Sequence, residues 1–103
     1  MHVAIRLYDG VTFPDEAATK VRTEFMPIIS KIPGFQEYYA VKCGRDKVAS
    51  VSVFKDKPGA DDATKAASKW VQKNMASYLP NRPQSIDGDA FAHLMKGGKQ
   101  TAA

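Results

Sequence analysis

The stretch from Phe35 to Phe54, FQEYYAVKCGRDKVASVSVF, constrains the fold of this chain more than any other. Two runs rich in branched and aromatic residues flank Gly44-Arg45-Asp46. Tyr38, Tyr39 and Val41 lie on one side, and Val48, Val51 and Val53 on the other. A short loop containing glycine between two such runs is a hairpin signal, because β-branched and aromatic side chains fit the pleated surface and glycine takes the turn geometry. One strand-like and one helix-like run lie on each side of it, so the hairpin is the middle of the fold.

Before the hairpin, His2 to Tyr8 alternates. Val3, Ile5 and Leu7 point one way, and His2, Ala4, Arg6 and Tyr8 the other, so the run reads as a strand with one fully apolar face. Asp9-Gly10 ends it. Thr12 is the expected helix cap, with Pro14 in the first turn and Asp15 and Glu16 at the positive end of the dipole. Apolar residues at 17, 18, 21, 25, 28, 29 and 32 keep helical spacing. Pro27 removes a backbone donor and crowds the turn before it, which predicts a kink or break near Glu24.

After the hairpin, a second helix is expected from about Asp61 to Tyr78, burying Ala63, Ala66, Ala67, Trp70, Val71 and Met75. Lys65, Lys69 and Lys73 form a stripe on it that reads as a solvated face. Ser85 to Leu94 is the expected last strand, although Asp87-Gly88-Asp89 looks like a turn or bulge. Residues 96–103 are expected to fray, leaving one domain over residues 1–95. At 103 residues a single core is sufficient.

The order βαββαβ predicts an α+β, ferredoxin-like fold, with a four-stranded antiparallel sheet and both helices on one face. The opposite face is expected to carry Ala4, Tyr8, Ser50, Ser52, Phe54 and one hairpin tyrosine. That patch calls for cover by a second copy, hence a homodimer. RNA-recognition domains share this order but set several aromatics on the third strand, whereas KVASVSVF has one, at its end. Nucleic-acid binding is not expected. No apolar run is long enough to span a bilayer, and the single Cys43 has no internal partner, which together read as a cytoplasmic protein.

The segments VAIRLYDGVT, IPGFQEYYAV and VASVSVFKDKPGADDATKAASKWV, in this order, resemble the antibiotic-biosynthesis-monooxygenase-like family of dimeric α/β barrels. Pro33-Gly34-Phe35 opening the second strand and Phe54-Lys55-Asp56 ending the third carry most of the likeness. The resemblance implies a homodimer whose pocket takes a small aromatic or apolar molecule. It also implies a monooxygenase without cofactor, in which substrate electrons reduce oxygen; the competing reading is a non-catalytic binding or stress-associated dimer. The haem-degrading branch of the fold uses an Asn, a Trp and a His where this chain has Ile5, Ala63 and Lys73, so haem chemistry is not expected.

Candidate residues follow from their chemistry. Tyr38 and His93 are the expected catalytic pair, for orienting the substrate and taking its proton, because an imidazole titrates near ~6.5. A plain strand-end histidine is the competing reading of His93. Trp70, Arg6, Tyr8 and Tyr39 are the expected substrate contacts. Trp70 reads either as core or as pocket wall. Arg6, in the middle of an apolar strand, needs a counter-ion, either a carboxylate across the dimer or an anionic group of the substrate. Ser50 and Ser52 lack an activating base, Cys43 reads as a passive thiol, and no metal-ligand spacing is present.

Overall fold

The computed structural model describes residues 1–97. Residues 98–103, most of the tail expected to fray, lie outside the described residues. The elements are β1 (His2–Tyr8), α1 (Pro14–Lys20), a π-helical segment (Val21–Phe25), α2 (Met26–Ile29), β2 (Phe35–Lys42), β3 (Val48–Phe54), α3 (Lys57–Asn74) and β4 (Gln84–Asp89). The strands form one antiparallel sheet in the order β2-β3-β1-β4, with the hairpin at one edge. The expected α+β architecture is the one observed.

The predicted break sits where Pro27 requires it. Proline offers no N–H to the turn before it, and the hydrogen-bond ladder widens there: the Met26 N–H reaches Val21 O, five residues back. The start of the first helix differs from expectation. Phe13, not Thr12, is its N-cap, in a left-handed conformation (φ 50°) and without a side-chain cap. Thr12 instead ties this loop to the turn after α3, its N–H bonding Tyr78 O at 2.9 Å and its hydroxyl bonding Ser77 O.

Helix α3 begins four residues earlier than its periodicity suggested. Asp56 caps it through Gly59 N–H at 3.4 Å, and Pro58 occupies the first turn, where its missing donor costs nothing. Strand β4 is shorter than expected and ends at Asp89, yet Asp87-Gly88-Asp89 is regular strand. The reason is His2. Its Nδ1 lies 2.9 Å from Asp89 and its Nε2 2.7 Å from Asp87, which fixes both acids beside β1.

The two faces of the sheet are the reverse of the expected assignment. Ala4, Arg6, Tyr8, Ser50, Ser52 and Phe54 lie under the helices, while Val3, Ile5, Leu7, Ala49 and Val51 face outward with Tyr39, Val41 and Ile86. Arg6 is 5% exposed, whereas its neighbour Ile5 is 37% exposed and Ile86 69%. Under the helices, Phe54, Phe25, Ile29, Trp70 and Met75 supply the bulk of the core, against the alanine faces of α1 and α3. The apolar row of β1 is not needed there and stands on the outside.

Candidate functional site

Small residues facing small residues leave a void in an interior that otherwise packs to crystal density. Ala17 and Ala18 on α1, Ala40 on β2 and Ala67 on α3 surround such a space between the helices and the sheet. The cavity measures about 80 Å³. Its aromatic side is a chain of three rings: Trp70 lies 5.2 Å from Phe25, and Phe25 lies 5.7 Å from Tyr38 in an edge-to-face pair. The π-helical segment supplies Val21 and Phe25, so the register change imposed by Pro27 also shapes the wall. Helix π-bulges occur often at functional sites for this reason.

The floor is polar and comes from the sheet. Arg6, Tyr8, Tyr38 and Ser50 face the cavity from three adjacent strands. Burial pushes the Tyr38 phenol up to about 12, reinforced by Tyr8 beside it, while Arg6 and Ser50 act in the opposite direction. Burial likewise raises Tyr8, with Arg6 opposing. Both phenols therefore stay protonated at neutral pH and can donate a hydrogen bond to a bound group. Lys42 stands at the cavity edge and is paired with Asp15, whose carboxyl it holds below the usual range.

A larger open groove of about 670 Å³ runs between α3 and β4, lined by Thr64, Ser68, Gln72, Asn81, Arg82 and Ser85. It shares Arg6, Tyr8, Val71 and Leu79 with the inner cavity, so these four form the wall common to both.

The structure brings Arg6, Tyr8, Tyr38 and Trp70 together at the cavity. Trp70, at 8% exposed, is core and cavity wall at once. It does not bring Tyr39 or His93 there. Tyr39 is 51% exposed on the outer face, because strand alternation sends it opposite to Tyr38. His93 lies four residues beyond the end of β4, half-buried and at an isolated bridge. Phe25 and Met75 were missed as cavity residues, their helical spacing having marked them only as buried. Ser50 was weighed only as a nucleophile; its place opposite Arg6 shows it as part of the polar floor. Arg6 lies under the helices and not on the outer face, where the covering second copy was expected. Among the described residues no group of three or more His, Cys, Asp or Glu side chains could hold a metal ion. Among the described residues no helix is long and apolar enough to cross a membrane.

No protein-family model and no curated protein matches the chain. Solved structures do. NE2512, a protein of unknown function from Nitrosomonas europaea, aligns with a TM-score of 0.70 and 19% identity over 91% of this chain and 93% of that one. The monooxygenase ActVA-Orf6 of Streptomyces coelicolor, solved with the ligand nanaomycin D, aligns with a TM-score of 0.71 and 13% identity over 91% and 90%. This chain shares their fold. SnoaB, a cofactor-independent oxygenase from Streptomyces nogalater, has the same fold at a TM-score of 0.58 and 17% identity, covering 84% of this chain and 87% of that one. Across such low identities the likeness establishes the architecture. In this chain the fold leaves a cavity between helices and sheet, and the chain's own residues decide what that cavity holds.

Proposed function

We propose that the protein is a small homodimer that takes an aromatic or apolar molecule into the cavity beside Trp70 and oxygenates it without a bound cofactor. The observation that carries the reading is the combination at one cavity of a three-ring wall and a floor of buried donors, Arg6, Tyr8 and Tyr38. A phenolic substrate anion formed there would be stabilised by the buried phenols, which stay protonated. Such an anion is electron-rich enough to reduce oxygen; one oxygen atom enters the ring and the other leaves as water. The described lining offers no carboxylate or imidazole, so the substrate proton is expected to leave to solvent from an acidic phenol or enol. Two structural neighbours are oxygenases, one of them cofactor-independent, which supports this chemistry.

The homodimer is supported by the outer sheet face, where Tyr39, Val51, Ile5 and Ile86 line up across the four strands as an apolar row, with Ile5, Tyr39 and Ile86 exposed.

A second reading, a binding protein without turnover, is favoured by the described cavity lining, which holds aromatic rings and polar groups but no carboxylate or imidazole to take a substrate proton. Oxygen uptake by chelator-treated, flavin-free protein given hydroxylated anthrones separates the two. Protein-dependent uptake that yields the quinone supports the oxygenase, and saturable binding without uptake supports the binding protein.

A further inference from the structure

Arg6 is a buried cation for which the fold provides no counter-ion. Only 5% of it is exposed, and among the described residues no carboxylate comes within ion-pair distance of its guanidinium. Its cross-strand neighbours are Ser50 on β3 and Ser85 on β4, both small and neutral. The two acids of β4 that share its side of the sheet, Asp87 and Asp89, are both engaged by His2. A sheet that gives buried His2 two carboxylates and buried Arg6 none leaves a site for an anion at Arg6. Burying a charge without a partner is costly, and removing it from water is offset only by a well-placed opposite charge.

The position of Arg6 says where that anion lies. With Tyr8 it forms part of the wall common to the inner cavity and the outer groove. On the reading that the cavity binds an aromatic molecule, we propose that the ligand is an aromatic acid, its carboxylate held by Arg6 and the Tyr8 hydroxyl. The edge of its ring system enters beside Trp70, and its remainder lies in the groove toward Arg82. The inner cavity is too small for a fused ring system alone, and the groove supplies the missing room. A carboxylate rather than a phenol is the anion, because a carboxylic acid titrates near ~4 and is charged throughout the physiological range, whereas a phenol near ~10 is not. The planar guanidinium also matches the two oxygens of a carboxylate.

Calorimetric titration with 2-naphthoate and with its neutral, isosteric amide, 2-naphthamide, tests this on the unaltered protein. The acid is expected to bind at least about tenfold tighter than the amide, the scale of a hydrogen bond to a charged group. In Arg6→Gln the two affinities are expected to converge through loss of the acid, while Arg6→Lys retains a partial preference; circular dichroism checks that each variant is folded. Equal binding of acid and amide to the wild type overturns the assignment and leaves the aromatic cavity standing. Binding of neither at millimolar concentration overturns both. Should the variants not fold, the wild-type comparison still decides.

Discussion

The rings of Phe25 and Trp70 lie 5.2 Å apart, inclined by 35°, and join the π-helical segment to α3 across the top of the cavity. Core and cavity wall are thus one structure. Trp70→Ala should therefore act twice, destabilising the domain by about 3–5 kcal/mol and weakening aromatic ligands as well. Chemical denaturation measures the first effect and calorimetry the second. A stability loss below about 1 kcal/mol, the scale of a surface change, would contradict the packing described.

Much of the fold was legible because its signals are local. The Gly44 loop between β-rich runs, the alternation of His2 to Tyr8 and the break before Pro27 each rest on backbone chemistry within a few residues. The reversed faces were not legible. An apolar row of Val3, Ile5 and Leu7 looks like a core row, and nothing local reveals that alanine-faced helices would instead cover Arg6 and Tyr8. The regularity of Asp87-Gly88-Asp89 depends on His2, more than 80 positions away in sequence. The site was legible in part: Arg6, Tyr8, Tyr38 and Trp70 were named from residue type. Tyr39 followed from not knowing the strand's facing, and His93 from extending the last strand past Asp89.

His2 should make stability depend on pH. Both ring nitrogens face carboxylate oxygens, and a neutral imidazole has only one N–H to offer, so the imidazolium is favoured. Hydrogen bonds to Asp89 and then Asp87 raise its pKa, against the opposing effect of burial. A group raised on folding contributes its full stability below the unfolded value, about 6.5, and loses it as pH rises through the higher folded value. Asp89 is lowered by the same contact, so its contribution disappears in acid instead. Thermal midpoints should therefore fall from pH 6 toward mildly alkaline pH in the wild type and fall less in His2→Gln. Parallel profiles for the two would contradict the clamp.

Gly59 should resist even the smallest substitution. A Cβ there would meet Pro33 O at 2.8 Å and Phe54 Cδ1 at 2.9 Å, at the point where α3 begins against the end of β3. Alanine is worth about 1 kcal/mol over glycine within a free helix. Overpacking costs about 1–3 kcal/mol, so Gly59→Ala should be net destabilising. A raised melting temperature would contradict that close approach.

Assembly should depend on Ile5, which stands on the outer face between Val51 and Ile86. Ile5→Asp puts a charge at the centre of the proposed interface without touching the cavity. A stable dimer buries about 1,200 Å² or more. Sedimentation equilibrium at micromolar concentration should give a dimer for the wild type and a folded monomer for the variant. A wild-type monomer at that concentration would remove the homodimer.

The central claim is that the space beside Trp70 receives an aromatic molecule. Trp70 is the only tryptophan in the chain, so its emission reports on that space alone. The most direct measurement is titration of this emission with a hydroxyanthraquinone, repeated in Ala67→Leu, which fills the α3 side of the cavity. The account predicts saturable quenching in the wild type and at least about a tenfold weaker response in the folded variant. Quenching that does not saturate, or that is equal in both proteins, would show that the ligand does not enter the cavity.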